Sequence, residues 1–413
     1  MKGFLYLIIL LFVISVNAQE TINTMFYNLL EFPEASPANR EILLRDILDE
    51  YDPDIFMVCE LQTEDGADLI LNITLNNEGE QYARAPFEYN QSGEAGLQQM
   101  VFYKSSKFNL ETSEIITTPV RDINRYLLKL NTLDQAVDPV YLDLYVTHLK
   151  SSQGSDNQNL RLEMVNEFTT ALESLDPNSF VIFAGDFNLY SSTEPAYTEL
   201  LDNTNAIIMV DPIHTLGAWN NNEDFQNIHT QSTRINSWPF GAGAGGGLDD
   251  RFDFITISEN MESDPKMHYT QDTYKSFGNN GNCYNQDINN EDCSGIYSQE
   301  LRDNLYNMSD HLPVVMQFET DKEFILSSPE FTTSKLITLH NTIAQNVINI
   351  SISEEYTDSI TFSIYNTLGQ KVLQYESENI KNNTIDVSFL DAGLFYIKTN
   401  ISNSKPLKFL KTS

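Results

Sequence analysis

A chain of 413 residues is long enough to fold into two or three domains with sizeable cores. Its 24 basic and 59 acidic side chains give a formal net charge of −35, which excludes a strongly basic surface that binds polyanions through charge alone. After residue 18, no stretch holds the roughly 20 apolar residues that a membrane-spanning helix needs.

The first 18 residues have the pattern of a secretory signal peptide. Lys2 precedes an apolar stretch over residues 4–16, and the small residue Ala18 ends a cleavage motif. We therefore predict that residues 1–18 are removed, and that the mature protein is exported, soluble and not stably inserted in a membrane.

Residues 19–322 alternate apolar strands with a few amphipathic helices. The apolar runs predict strands, in chain order, over 21–28, 55–59, 100–103, 127–130, 141–147, 180–184, 252–257 and 314–318. Helical spacing of apolar residues predicts helices over 39–51 and 159–175. The pattern predicts one large domain of the α/β class, in which two mixed sheets pack together with helices outside.

The pattern changes in residues 323–413, which we predict to be a linker followed by a small all-β sandwich. Helical spacing disappears, and short alternating strands are predicted over 347–353, 361–366, 371–375, 384–387 and 394–399. This region shows no cluster of metal-ligating or catalytic residue types, so we assign it no chemistry.

The three cysteines fit an exported protein. Cys59 lies in an apolar run and is interpreted as a small buried hydrophobic residue. Cys283 and Cys293 lie in a polar loop, where an oxidising compartment favours a disulfide.

Polar residues recur where the apolar strands of the large domain end or begin. These residues are Asn28, Glu60, His148, Asp186, Asn188, Asp253, Asp310 and His311. Taken singly, each has a structural explanation: a surface acid, a core histidine, a helix cap or a turn. An acid inside an apolar strand, such as Asp253, costs several kcal/mol unless a cation neutralises it. Together these residue types suit metal-assisted attack of water on a phosphodiester.

The order of these motifs resembles the endonuclease/exonuclease/phosphatase superfamily, of the deoxyribonuclease I-like, secreted bacterial type. The matching stretches are Tyr27-Asn28, Asp54-Ile55 leading to Glu60, Thr147-His148-Leu149-Lys150-Ser151, Gly185-Asp186-Phe187-Asn188, Arg251-Phe252-Asp253-Phe254-Ile255 and Ser309-Asp310-His311-Leu312-Pro313-Val314. The resemblance implies a four-layered α/β sandwich and a divalent-metal-dependent hydrolase.

The resemblance also implies a role for each site residue. Asn28, Glu60 and Asp310 would hold the cation, which would be Mg²⁺, with Mn²⁺ or Ca²⁺ as alternatives. The remaining roles are: Asp186 orients water or helps to bind the metal, Asn188 binds the phosphate, Asp253 pairs with His311 and raises its pKa, and His148 contacts the phosphate or protonates the leaving oxygen. Arg121 matches a phosphate-contacting arginine by a weaker local pattern, and a surface charge is the alternative.

One position departs from the family pattern. The histidine equivalent to His148 is oriented there by a glutamate, whereas this chain has Gln98 and Gln99 in the same vicinity. Either one of these amides is the partner of His148, or His148 is oriented in another way.

The C-terminal region resembles the sorting domain of type IX secretion cargo. The stretches that carry this resemblance are residues 364–372, 385–388, 390–396 and 406–411. The resemblance implies passage through the type IX machinery and a final location outside the cell or on its surface. An ordinary binding β-sandwich is the alternative.

The sequence as a whole predicts a monomeric, exported phosphodiesterase whose substrate is extracellular DNA or RNA. A sphingomyelinase-type phospholipase C or a phosphatase of the same superfamily is the alternative. The segment Trp238-Pro239-Phe240 beside a glycine run would favour a lipid substrate slightly if it entered a lipid interface, but a core tryptophan at the edge of a loop is the preferred interpretation. An inactive surface binding module is the alternative of another class, against which the complete set of polar residues argues.

Overall fold

The structure is a computed structural model, and it describes residues 19–77, 79, 81–93, 96–325, 337–352, 360–367, 370–377, 382–400 and 407–412. The predicted signal peptide therefore lies outside the described residues. The chain divides into two compact units, Met1–Ile325 and Leu326–Ser413. None of the described helices is long and apolar enough to cross a membrane.

The first unit contains two mixed sheets and five α-helices among the residues described. The strands are β1 (Glu20–Phe32), β2 (Ile55–Leu61), β3 (Tyr82–Arg84), β4 (Gln98–Lys104), β5 (Phe108–Ile116), β6 (Ile123–Leu130), β7 (Tyr141–His148), β8 (Phe180–Asp186), β9 (Met209–Val210), β10 (Asp253–Ser258), β11 (His268–Tyr269), β12 (Lys275–Ser276) and β13 (Val314–Thr320). The helices are α1 (Arg40–Tyr51), α2 (Glu64–Leu69), α3 (Ser155–Leu172), α4 (Pro195–Leu200) and α5 (Gln299–Met308).

Both sheets are mixed, because each contains parallel and antiparallel strand pairs. One sheet runs β11-β13-β1-β2-β4-β3, with β12 also paired to β13, and the other runs β5-β6-β7-β8-β10-β9. The pairs β1–β2 and β7–β8 are parallel, whereas β1–β13, β2–β4 and β8–β10 are antiparallel. The central strands of both sheets therefore end near one another, and these ends carry the predicted polar residues.

Alternation along the strands builds four layers. In β1, Phe26 faces the core between the sheets, while Met25 and Tyr27 face the core that also contains α1 and α5. In β8, Ile182 faces the core between the sheets and Phe183 packs on α3, where its ring stacks on Phe168 at 4.0 Å. Successive strand side chains point to opposite faces, so each sheet buries both of its faces. The predicted four-layered α/β sandwich is confirmed.

Among the described residues of the first unit, eight elements were not predicted: β3, β5, β9, β11, β12, α2, α4 and α5. Strand β5 lies at a sheet edge and exposes much of its length, so its sequence lacks an apolar run. Helix α5 is polar overall, but Leu301, Leu305 and Met308 form a narrow apolar stripe, and the Ser298 side chain caps its first turn. The predicted helix 159–175 begins earlier and ends earlier, at Ser155 and Leu172.

The second unit is all-β among its described residues, as predicted. Its strands are β14 (Ile337–Leu339), β15 (Ile343–Ala344), β16 (Val347–Ile352), β17 (Thr361–Asn366), β18 (Lys371–Glu376), β19 (Asn382–Asp386), β20 (Gly393–Thr399) and β21 (Leu407–Lys411). They form one sheet ordered β14-β16-β19 and another ordered β15-β21-β20-β17-β18. Alternate residues such as Phe362, Ile364 and Ile397 are buried in one apolar core.

The cysteines behave as expected. Cys283 and Cys293 form a disulfide with a Cα–Cα distance of 5.1 Å, and both residues are buried. Cys59 is a free, fully buried thiol, and burial raises its pKa well above the ordinary value.

Candidate active site

The predicted polar residues come together where strands of both sheets end. Asn28 lies in β1 and Glu60 in β2, His148 and Asp186 are the last residues of β7 and β8, and Asp253 is the first residue of β10. Asp186 stands opposite both His148 and Asp253 in the strand register. The segment 310–311 precedes β13 and completes the group.

Asn28 joins the two sheets at this point. Its Nδ2 donates to Glu60 Oε1 at 2.9 Å and to Asp186 Oδ2 at 3.1 Å. Its Oδ1 accepts from the Leu30 backbone N–H at 3.0 Å, which fixes the orientation of the amide. Asn28 is fully buried, so it sets the spacing between two carboxylates that would otherwise repel one another.

Asp253 and His311 form a buried ion pair. Asp253 Oδ2 lies 2.7 Å from His311 Nδ1, and Asp253 is fully buried. Burial alone would lower the pKa of His311, but the carboxylates of Asp253, Asp186 and Asp310 outweigh burial and raise this pKa well above the ordinary value. His311 is therefore held as a cation, and its Nε2 lies 3.7 Å from Asp186 Oδ2.

His148 has the opposite charge preference. Burial, together with the positive charges of Arg121, His311 and Lys150, lowers its pKa well below the ordinary value. A neutral imidazole keeps one N–H, with which His148 can donate to a phosphate oxygen. The site thus pairs one protonated histidine with one neutral histidine.

The orientation of His148 is not set by the two glutamines. Gln98 Nε2 donates to the Leu61 and Gln62 carbonyls, and Gln99 Nε2 donates to the Asp122 carbonyl. The ring instead lies between two acids, with Nε2 at 3.4 Å from Asp186 Oδ2 and Nδ1 at 3.9 Å from Glu60 Oε1. Of the two alternatives left open by the sequence, the structure favours a different orientation of His148.

The hydrogen bonds to Asp310 come from the loop segments that contain Gln231 and Ala244. Its Oδ2 accepts from the Ala244 backbone N–H at 2.6 Å and from Gln231 Nε2 at 3.2 Å. Gly243 must remain glycine, because its φ is +85° and a Cβ there would lie 2.9 Å from Asp310 Cγ. Asp310 Oδ1 is buried without a hydrogen-bond partner among the described residues.

Gln231 is a site residue that the sequence did not indicate. Its Nε2 lies 2.6 Å from His311 Nε2, and its backbone forms an isolated bridge with His311. A protonated His311 would require the opposite amide orientation, in which the Gln231 oxygen accepts from Nε2–H and Gln231 Nε2 no longer donates to Asp310. Gln231 lies in an irregular segment without apolar periodicity, so no sequence signal marked it.

Arg121 and Asn188 support the end of β7 from behind. Arg121 is 5 % exposed, and its Nη1 donates to the His148 and Leu149 carbonyls, both at 3.0 Å. Asn188 Nδ2 donates to the Leu149 carbonyl at 3.3 Å, and its backbone N–H donates to Asp186 Oδ1 at 3.1 Å. The alternative interpretation of Arg121 as a surface charge was wrong, because its side chain is buried and its guanidinium donates to backbone carbonyls.

The donor set fits a hard divalent cation. Glu60, His148 and Asp186 each bring a ligand atom to within 4.8 Å of the others. Burial raises the pKa of Glu60, and the charge of Asp310 raises it further, so these acids are unstable as neighbouring anions without a cation. Carboxylate oxygens are the ligands that Mg²⁺ prefers. Among the described residues, neither group of three possible ligand side chains includes Asp310, so its role as a metal ligand stays a prediction.

The raised pKa of Asp186 leads us to expect that the stability of the metal-free protein depends on pH. Burial and the charges of Asp253 and Glu60 raise its pKa to about 8, against the effect of His311. The fold then keeps a proton that the unfolded chain releases, so the free energy of unfolding should fall as pH rises from about 4 to about 8. Chemical denaturation in EDTA across this range should show the fall.

The Asp186→Asn variant is the control for this prediction. Its unfolding free energy should depend less on pH over the same range, with a residual slope from Asp250, whose pKa burial raises to about 7. A slope that is equal in the variant and the wild type would contradict the prediction. Excess Mg²⁺ should also reduce the slope in the wild type, since cation binding stabilises the ionised carboxylate.

The C-terminal residues match a known family. Residues 344–410 match the family described as the secretion system C-terminal sorting domain. The second unit therefore resembles this sorting domain. The matched range begins at the second residue of β15, covers the described strands from β16 to β20 and ends within β21, so it includes the buried residues of the apolar core of the second unit.

Several solved structures resemble the chain at low identity. TDP2 from D. rerio, complexed with a single-strand DNA product, is 17% identical and has a TM-score of 0.48, with 73% of this chain and 99% of that chain covered. An endonuclease/exonuclease/phosphatase family protein from Bacteroides thetaiotaomicron is 16% identical with a TM-score of 0.43, and the same shares are covered. A search of curated proteins found no significant match.

Proposed function

We propose that residues 19–322 form a divalent-metal-dependent phosphodiesterase that hydrolyses extracellular DNA or RNA. The observation that carries this proposal is the buried Asp253–His311 ion pair, which stands 3.7 Å from Asp186 beside the carboxylate of Glu60. A cationic donor, a nearby carboxylate and a site for a hard cation are the groups that water attack on a phosphodiester requires.

In this mechanism, Asp186 acts on the attacking water and His311 acts on the phosphate. Ionised Asp186 orients the attacking water and accepts its proton. The water oxygen bonds to phosphorus as the P–O3′ bond breaks, the leaving O3′ takes a proton from bulk water, and no covalent intermediate forms with the protein. Protonated His311 donates to a non-bridging phosphate oxygen, where negative charge develops.

Further groups complete the site. The remaining N–H of Asn188 and the single N–H of neutral His148 face the phosphate. A divalent cation held by Glu60 and Asp186, beside the amide of Asn28, would neutralise charge on the phosphate when bound. His148 would act as a hydrogen-bond donor, because its lowered pKa disfavours the doubly protonated form that an acid catalyst starts from.

The test is a time course of supercoiled plasmid with the mature protein in Mg²⁺, with and without EDTA. We expect nicking that EDTA stops and that His311→Ala lowers by about 10²–10⁴-fold. Bis(p-nitrophenyl) phosphate, a small phosphodiester, is assayed in parallel. Its turnover without nicking at any ionic strength, and without cleavage of single-stranded DNA or RNA, would reject the nuclease and direct the same protein to sphingomyelin and inositol phosphates. No turnover of any phosphodiester would favour the inactive binding module.

We also propose where this enzyme acts. The sorting domain at residues 344–410 supports export through the type IX machinery, and the predicted signal peptide supports passage through the inner membrane before it. The disulfide between Cys283 and Cys293 fits an oxidising compartment. The enzyme would then act as a monomer outside the cell or on its surface.

A further inference from the structure

A loop beside the site presents a tryptophan to solvent. The chain has two tryptophans: Trp219 is fully buried, whereas Trp238 is 89 % exposed. A large aromatic side chain gains much free energy from burial, so its exposure beside a catalytic site indicates a contact surface.

The loop that carries Trp238 is firmly built. Its ends are joined by hydrogen bonds from the Gly246 N–H to the Ile235 carbonyl at 2.9 Å and from the Gly247 N–H to the Arg234 carbonyl at 3.0 Å. Phe240 is buried, and the Arg234 guanidinium lies 3.5 Å from the centroid of its ring. Phe240 therefore anchors the loop from within, and Trp238 is the aromatic residue left outside.

The same loop is fastened to the site. Ala244 donates its backbone N–H to Asp310, the residue next to the ion-paired His311. Six peptide units separate Trp238 from Ala244, so Trp238 lies within about 20 Å of the Asp310 attachment point even for an extended chain. A polynucleotide bound at the site would pass Trp238 within a few nucleotides of the scissile phosphate.

The charge of the protein determines which contact a nucleic acid can make here. With a formal net charge of −35, the chain cannot hold a polyanion mainly through lysine and arginine contacts to phosphates. Stacking of bases on aromatic rings supplies affinity that needs no cation and tolerates any base. The faces of bases are free for stacking in single strands, whereas in a duplex they are covered by neighbouring base pairs.

We propose that Trp238 stacks on an unpaired base within a few nucleotides of the scissile phosphate, which makes single-stranded nucleic acid the preferred substrate. This inference rests on the proposed nuclease function. A membrane is a less suitable partner, since Phe240 is already buried in the loop and the carboxylate of Asp287 accepts from the Ile235 N–H at 2.6 Å. A carboxylate at this position opposes approach to an anionic bilayer.

The experiment compares Trp238→Ala with Tyr141→Ala on the full mature chain. Tyr141 is an exposed aromatic residue at the start of β7, whereas His148 is at its end, so the control removes a ring far from the site. KM and kcat are measured in Mg²⁺ on a single-stranded 20-mer, on the matching duplex and on bis(p-nitrophenyl) phosphate. Tryptophan fluorescence is recorded during titration with the single strand in EDTA.

We expect Trp238→Ala to raise KM for the single strand about tenfold, and to raise it less for the duplex and the small diester. Tyr141→Ala should retain the wild-type KM. The single strand should quench the exposed fluorescence of the wild type, and Trp238→Phe should show no such quenching but should retain part of the affinity.

Three outcomes would overturn the inference. An equal KM for the single strand in Trp238→Ala and the wild type would do so, and so would equal losses on single strand and duplex. Wild-type binding to phosphatidylcholine vesicles that Trp238→Ala abolishes, with no change on nucleic acid, would assign the loop to a membrane instead. Turnover of the small diester by the wild type shows that the catalytic site is intact in each case, so the nuclease proposal is judged separately.

Discussion

The Asp253→Asn variant should lose activity progressively as the pH rises. The wild-type carboxylate raises the pKa of His311, so the imidazole stays protonated well above neutral pH. An amide of the same shape removes the largest of the carboxylate effects and leaves burial opposed only by Asp186 and Asp310, so the pKa of His311 should fall. The expected kcat is close to wild type at low pH and about 10²–10⁴-fold lower at alkaline pH, where the wild type still carries the proton.

The measurement is kcat on a small phosphodiester from pH 5 to 10 at saturating Mg²⁺. Asp143→Asn is the matched control, because Asp143 is also a carboxylate in a strand of the same sheet but receives its hydrogen bond from Arg125. His311→Ala should lose activity throughout the range, with no recovery at low pH. A pH profile of Asp253→Asn that matches the wild type would contradict the role of the ion pair.

The Glu60→Gln variant should have opposite effects on activity and on stability. Removing one anionic ligand should raise the Mg²⁺ concentration for half-maximal activity by at least about tenfold, since charge is the main source of affinity for a hard cation. In EDTA, the same change should raise the melting temperature by a few degrees, because a partly buried carboxylate with a raised pKa is destabilising without its cation.

Activity as a function of Mg²⁺ and thermal unfolding in EDTA measure the two effects. Glu64→Gln is the control, since the Glu64 side chain is 57% exposed and pairs with Arg84 at the surface. This variant should match the wild type in both assays. A Glu60→Gln variant that is less stable than the wild type in EDTA would show that the carboxylate is structurally required and would remove Glu60 as a metal ligand.

The sequence predicted the site residues that end strong apolar strands. Asp186 follows a continuous buried run, and Asp253 interrupts one. The apolar residues next to each acid in the sequence were therefore enough to predict its position in the sheet. The layers were predictable for the same reason. The strand pattern requires two covered faces for each sheet, and the helices supply the outer layers.

Gln231 and the loop that holds Asp310 were not predictable in this way. Gln231 reaches His311 from an irregular segment, and its position depends on a tertiary contact between residues 80 positions apart. The backbone N–H of Ala244, which binds Asp310, has no side-chain signature at all. The side-chain contacts of Arg121 were not predictable either, because the sequence does not distinguish an arginine that donates to buried backbone carbonyls from one that is exposed.

The contact between Asn28 and His311 also determines when the candidate site can form as the chain is made and folds. Their side chains lie 3.4 Å apart, although 283 positions separate them along the chain. A ribosome must therefore finish nearly the whole first unit before the two can meet, and any precursor kept unfolded lacks a working centre. Export of the chain in an unfolded state would therefore keep the proposed centre unassembled until the chain folds.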